Sequence, residues 1–162
     1  MSSEEANPAN VPTSRPALDA FWLNQLQHEG IHAFLPEAPS LSLAFTLSLQ
    51  QLKQGAYFEA HESLEDLWGE ASYPLKLFYY ALIKVAVGLL QIERRNAKAA
   101  IAQLVPAIQY LAPFTPAFLG VLTGAIAQEA QDRLALLQVG DGTEMWDAVQ
   151  QMPLMAFPTT PT

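Results

Sequence analysis

Residues 75–92 read LKLFYYALIKVAVGLLQI, an almost wholly apolar run interrupted by Lys76 and Lys84. A membrane-spanning helix needs about 20 apolar residues, and a Lys at its centre costs roughly 2.5–3.5 kcal/mol. The run is better read as the fully buried central helix of a bundle, since a helix that is apolar on every side must be covered on every side. At helical spacing Tyr80, Lys84, Gly88, Gln91 and Arg95 form one polar ridge on this otherwise apolar cylinder.

Other helical patterns lie on both sides of it. Upstream, a helix is expected from Pro16, a residue suited to a first helical turn, through Leu18, Phe21, Trp22, Leu23 and Leu26 to a stop near Gly30. Pro36 and Pro39 break the chain, and Ser40 is the expected cap of a second helix that ends before Gly55. A third runs from Tyr57 to Glu70 and is closed by Pro74. Downstream, Asn96 is read as the cap of a fifth helix bent at Pro106. Thr115-Pro116 is read as the start of a sixth, carrying Leu119, Leu122, Ile126, Ala130 and Leu134 to a stop at Gly140. No useful stretch alternates with period two, so no strand is expected. The fold class is all-α: one domain, a bundle of about six helices around a buried apolar central helix, over residues 16–156. Residues 1–15 and 157–162 are polar or Pro- and Thr-rich and are expected to be disordered tails. Trp146 and Met152 to Phe157 are expected to fold back as a C-terminal flap.

Charge narrows the partners. Sixteen acidic residues against eight basic ones give a formal charge of −8. Nucleic-acid binding rests on Lys and Arg displacing counterions, so neither nucleic acid nor an anionic membrane is expected as a partner. Cysteine is absent, which removes disulfides and thiolate metal sites. Glu4 and Glu5 stand where a secretory signal needs basic residues, and the expected compartment is the cytoplasm.

The third helix carries the distinctive chemistry, His61-Glu62-x-x-Glu65-x-x-Trp68, an H-E-x-x-E motif followed by tryptophan. At about 100° per residue, Tyr57, Phe58, Leu64 and Trp68 fall within one arc roughly 120° wide. His61 lies near its centre and Glu65 inside it, Glu62 lies at its border, and Glu59, Asp66 and Glu70 lie on a solvated face. An inward carboxylate is costly unless paired. His61 and Glu65 are one turn apart and can bond each other, and Lys84 of the polar ridge is the expected counter-charge of Glu65 or Glu62.

The stretch Gly55-Ala-Tyr-Phe-Glu-Ala-His-Glu-Ser-Leu-Glu-Asp-Leu-Trp68 resembles the signature of a bacterial and archaeal family, domain of unknown function 309, in which a glycine and an aromatic precede H-E-x-x-E-x-x-W. Ala81 to Ala86 is similar to that family's G-L-I-Q-x-A helix, and Arg95 to Ala100 to its G-N-x-x-G-A turn. The resemblance covers Gly55 to Leu111. Ala81, Arg95 and Ala99 replace family glycines and Lys84 replaces its glutamine, which marks a divergent member. It implies an all-helical fold and a polar core of the family type made by His61, Glu62, Glu65, Trp68 and Lys84. It implies no activity, and no cofactor follows from it.

Four functional readings stay open. One is a structural polar network that fixes bundle register. Another is a binding module, either for a protein partner or second copy through the acidic face or the Trp146–Phe157 segment, or for a small molecule in a pocket lined by Tyr57, Phe58, Trp68, Tyr79 and Tyr80. A third is a Zn, Mn or Fe site with His61, Glu62 and Glu65 as ligands and hydrolytic or redox chemistry, which needs further ligands from a second helix. The last is acid–base catalysis by Glu62 or Glu65 without metal. The motif lacks the second histidine of the zinc peptidase pattern.

Overall fold

The computed structural model describes residues 13–35, 41–140 and 142–161. Seven α-helices follow one another among these residues: α1 (Arg15–Glu29), α2 (Leu43–Lys53), α3 (Tyr57–Glu70), α4 (Leu75–Glu93), α5 (Ala97–Leu111), α6 (Thr123–Val139) and α7 (Gly142–Gln150). Single 3₁₀ turns cover Ile31–Ala33 and Ala112–Phe114. The all-α bundle read from the sequence is what forms.

Helix α4 is the axis of the bundle. Eleven of its residues are buried, from Leu77 to Ile92, and it packs most extensively against α5 and α3. It is the one described helix long and apolar enough to cross a membrane, but 61% of that span is covered by the rest of the bundle. The apolar run therefore satisfies itself within the chain. Gly88 allows the closest approach to α5: a Cβ there would lie 2.6 Å from Leu104 Cδ2 and 2.8 Å from its Cγ. Leu104 is itself fully buried, so it has nowhere to retreat.

Helix ends follow ordinary capping chemistry in two places. Asn96 caps α5 by accepting from the Ala99 N–H at 3.0 Å, as its sequence position predicts. Ser42 caps α2 by accepting from the Phe45 N–H at 3.1 Å. The predicted cap Ser40, with Pro36 and Pro39 and residues 1–12 of the expected N-terminal tail, lies outside the described residues. Gly55 turns the chain between α2 and α3 with φ of +79°, a conformation that L side chains rarely adopt.

Two expectations are corrected near the C-terminus. The sixth helix starts at Thr123, eight residues after the predicted Thr115-Pro116 cap. Thr115 instead donates its hydroxyl to the Ala112 carbonyl, and Leu119 and Gly120 (φ +51° and +75°) make a turn that no helix accommodates. The segment from Phe157 is not a loose tail. Phe157 is fully buried, the Leu122 N–H donates to the Pro158 carbonyl, and Val121 bridges to Thr159. One large aromatic side chain anchors what its Pro- and Thr-rich neighbours would leave free. Met155 is also fully buried, so the flap contributes to the chain's own core, while Leu154 beside it is exposed.

Candidate functional site

Helix α3 presents its motif differently from the angular reading. Its buried residues are Tyr57, Ala60 and Leu64, while Phe58, Glu62 and Glu65 are exposed. The buried arc is turned by roughly 60° toward Ala60 relative to the arc set by the large apolar residues. The cause is α2, which packs on the small side of α3 and is bonded there by Ser63 Oγ donating to Gln51 Oε1 at 2.8 Å. Phe58 is thus not a pocket residue. Glu65 is 53% exposed, so the motif contains no buried carboxylate.

His61 lies beneath Glu65, and its Nε2 meets Glu65 Oε1 across one helical turn. Its ring packs on Phe58, with centroids 6.0 Å apart. The predicted partner Lys84 is elsewhere: its ammonium donates to Gln103 Oε1 at 3.3 Å and sits 4.9 Å from the Tyr80 ring centre. The polar ridge of α4 faces α5, as Gly88 against Leu104 also shows. Lys84 makes no ion pair with Glu62 or Glu65 among the described residues. Nor do His61, Glu62 and Glu65 gather as metal ligands. Glu62 is turned about 100° from His61 around the helix and points to solvent, and among the described residues no three His, Asp or Glu side chains converge on a common point.

What the structure assembles at this end of α3 is an aromatic pocket. Trp68 and Tyr80 stand with ring centroids 6.2 Å apart, and Tyr110 follows 5.0 Å beyond Tyr80. Lys76, in the first turn of α4, places its ammonium 4.0 Å from the Trp68 ring centre and donates to the Trp68 carbonyl at 2.6 Å. A cation there suits the negative end of α3. Arg15 lies over the Tyr80 ring at 4.8 Å. Three of the chain's eight cations therefore gather on two rings. A pocket of about 210 Å³ opens among Arg15, Glu65, Trp68, Tyr80 and Ile83.

Its rear wall is held by a residue that sequence reasoning missed. Asp19 of α1 is 1% exposed and accepts three hydrogen bonds: from Arg15 Nη1 at 2.7 Å, Tyr73 OH at 2.6 Å and Tyr110 OH at 2.9 Å. Those bonds join α1, α5 and the loop before α4. Burial, followed by the bonds to Asp19, pushes both phenols well above their ordinary titration range, so they remain donors at neutral pH. A signal for Asp19 did exist in the sequence. It stands three, four and seven residues before Trp22, Leu23 and Leu26, on the apolar stripe of its helix, with Arg15 one turn earlier. Of the other sequence candidates, Tyr79 is packed in the core against Phe45 and Phe78, and Tyr57 lines a different cavity.

Two buried polar side-chain atoms lack a hydrogen-bond partner among the described residues, and both belong to the motif: His61 Nδ1 and Trp68 Nε1. Residues 45–102 match the family described as Domain of unknown function (DUF309). No curated protein and no solved structure matches the chain. The matched stretch takes in α3 and α4 whole, with His61, Glu65, Trp68, Tyr80 and Lys84, whereas Arg15, Asp19 and Tyr110 lie outside it. Over residues 45–102 the match is to the same family that the motif resembles.

Proposed function

We propose that the protein is a binding module that holds a small polar molecule in the pocket between α1, α3 and α4. The observation that carries this reading is the pair of unpartnered atoms on His61 and Trp68. An orphaned buried polar atom costs about 1–3 kcal/mol, and a network built for folding satisfies its members. The Asp19 cluster is such a network, whereas the motif is not, and unsatisfied groups concentrate where a site is kept ready for something else.

The pocket walls support the same reading. Arg15 and Glu65 both line it and pair with Asp19 and His61 rather than with each other, so a cation and a carboxylate stand across an aromatic floor with bonding capacity left over. At about 210 Å³ the space suits a molecule of few heavy atoms with a flat apolar part. The rigid Asp19 cluster fixes Arg15 before binding, which lowers the ordering cost of association.

Ligand-observed NMR with benzoate, benzamide and benzamidine, three flat probes of different charge, tests the reading. At least one is expected to bind the parent and to bind about tenfold more weakly when Arg15→Met or Glu65→Gln removes its charged partner. Absence of binding by all three, or binding indifferent to both substitutions, would overturn it.

A further inference from the structure

At the other end of α3 a second cavity, of about 440 Å³, lies under the C-terminal flap. That volume falls within the range of small-molecule sites, about 300–1,000 Å³. Two polar side chains reach it from nearly complete burial: Tyr57, 4% exposed, and Arg133, 5% exposed. Leu89, Ile92, Val149 and Leu154 supply an apolar wall.

Arg133 is a buried cation without a hydrogen-bonded anion. Its two bonds go to neutral carbonyls, Nη1 to Glu129 O at 3.2 Å and Nη2 to Pro153 O at 2.7 Å. The nearest carboxylate oxygen, Glu129 Oε1, is 3.9 Å away, beyond hydrogen-bond distance. A guanidinium has five N–H donors, so most of its capacity is unused. The Tyr57 hydroxyl makes no hydrogen bond among the described residues, and burial followed by the charge of Glu93 raises its pKa, which keeps the proton on it. Gln150, on the cavity rim, already gives its amide oxygen to Arg95 Nη2 at 2.8 Å, which leaves its NH₂ as a further donor. Glu93 is the one acidic lining residue, and it is solvent-exposed, where screening weakens its field.

Three donors at one end, one of them a buried cation with no hydrogen-bonded carboxylate, and an aliphatic wall beside them match a carboxylate on a short hydrocarbon chain. We infer that the Tyr57–Arg133 cavity binds a short-chain aliphatic monocarboxylate, its head on Arg133, Tyr57 and Gln150 and its chain along Leu89, Ile92, Val149 and Leu154. This site is separate from the Trp68 pocket and does not depend on it.

Protein-observed NMR of the full chain with hexanoate, set against hexylamine and hexan-1-ol, decides the matter. Hexanoate is expected to shift the amides of Val149 to Leu154 saturably and to bind at least tenfold more tightly than hexylamine. Tyr57→Phe and Gln150→Leu are each expected to weaken hexanoate about tenfold, the worth of a bond to a charged group. The phenylalanine keeps the ring in the core, and the glutamine is exposed, so a spectrum of parent-like dispersion confirms that each variant is folded. Hexylamine binding as tightly as hexanoate, no saturable shift with hexanoate, or unchanged hexanoate binding in both folded variants would each overturn the assignment.

Discussion

Removing the Asp19 carboxylate is the perturbation with the largest effect on this structure that can be worked out bond by bond. In Asp19→Ala, three donors lose their acceptor at once: Arg15 Nη1, Tyr73 OH and Tyr110 OH. Stripping one member from a fully buried ion pair costs about 3–5 kcal/mol. Here the Arg15 side chain is 38% exposed and can turn to water, which lowers its share. The two phenols are only half-buried, so each loses less than a sealed donor would. The total expected is about 3 kcal/mol for alanine. Asparagine keeps one acceptor but turns an amide donor toward another donor, and about 2 kcal/mol is expected for it. The assay is urea denaturation, where a slope of about 1–3 kcal/mol/M makes 3 kcal/mol a fall in midpoint of about 1–3 M. A double-mutant cycle with Tyr110→Phe isolates the bond itself, with a coupling of about 0.5–3 kcal/mol expected for contacting residues. An Asp19→Ala midpoint within about 0.5 kcal/mol of the parent, or strict additivity with Tyr110→Phe, would refute the reasoning.

Other perturbations have opposite or smaller signatures. Glu65→Ala is expected to cost less than about 1 kcal/mol in the same denaturation, because its carboxylate is mostly in water; a loss of several kcal/mol would mean a buried pair after all. Gly88→Ala drives a methyl into Leu104 and is expected to destabilise by about 1–3 kcal/mol through overpacking, and Gly88→Ala/Leu104→Ala is expected to lose less than the sum of the two single losses. Tyr73 and Tyr110 titrate above the ordinary phenol value in the folded state. The unfolded chain therefore releases these protons first, so their contribution is fully present below about pH 10 and is lost as pH rises above it. Denaturation midpoints measured from pH 8 to 11 are expected to fall, and to fall less steeply in Tyr73→Phe/Tyr110→Phe.

The parts of the fold that could be read from sequence are those where composition alone decides. The apolar run at Leu75–Glu93 had to be buried, and Asn96 and Gly140 had to end or begin helices. A helical wheel, however, sorts residues by face without saying which neighbour covers each face. For that reason spacing alone leaves Lys84 free to meet Glu65 or Glu62 on α3, whereas α5 covers Lys84 and Gly88. The same limit applies to α3, where Ala60 and Ser63 carry little hydrophobic weight and yet form the face on which α2 packs. A lone carboxylate is ordinarily solvated, and nothing near Asp19 in the sequence marks it as an exception beyond its place on the apolar stripe with Arg15 one turn earlier. Only the folded chain brings Tyr73 and Tyr110 to it, from 54 and 91 residues away. The candidate site was therefore half legible: Glu65, Trp68 and Tyr80 line the pocket, His61 lies one turn from Glu65, and the residue that holds its wall does not advertise itself.

The indole N–H of Trp68 gives the most direct test of the central claim, that the motif lines a pocket kept open for a ligand. With three tryptophans in the chain, Trp22, Trp68 and Trp146, the three indole resonances are assigned by single substitutions. In a ¹H–¹⁵N spectrum titrated with benzoate, benzamide and benzamidine, the account predicts that one probe moves the Trp68 indole resonance saturably and leaves those of Trp22 and Trp146 in place. A Trp68 indole resonance indifferent to all three probes, in a folded protein, would contradict it.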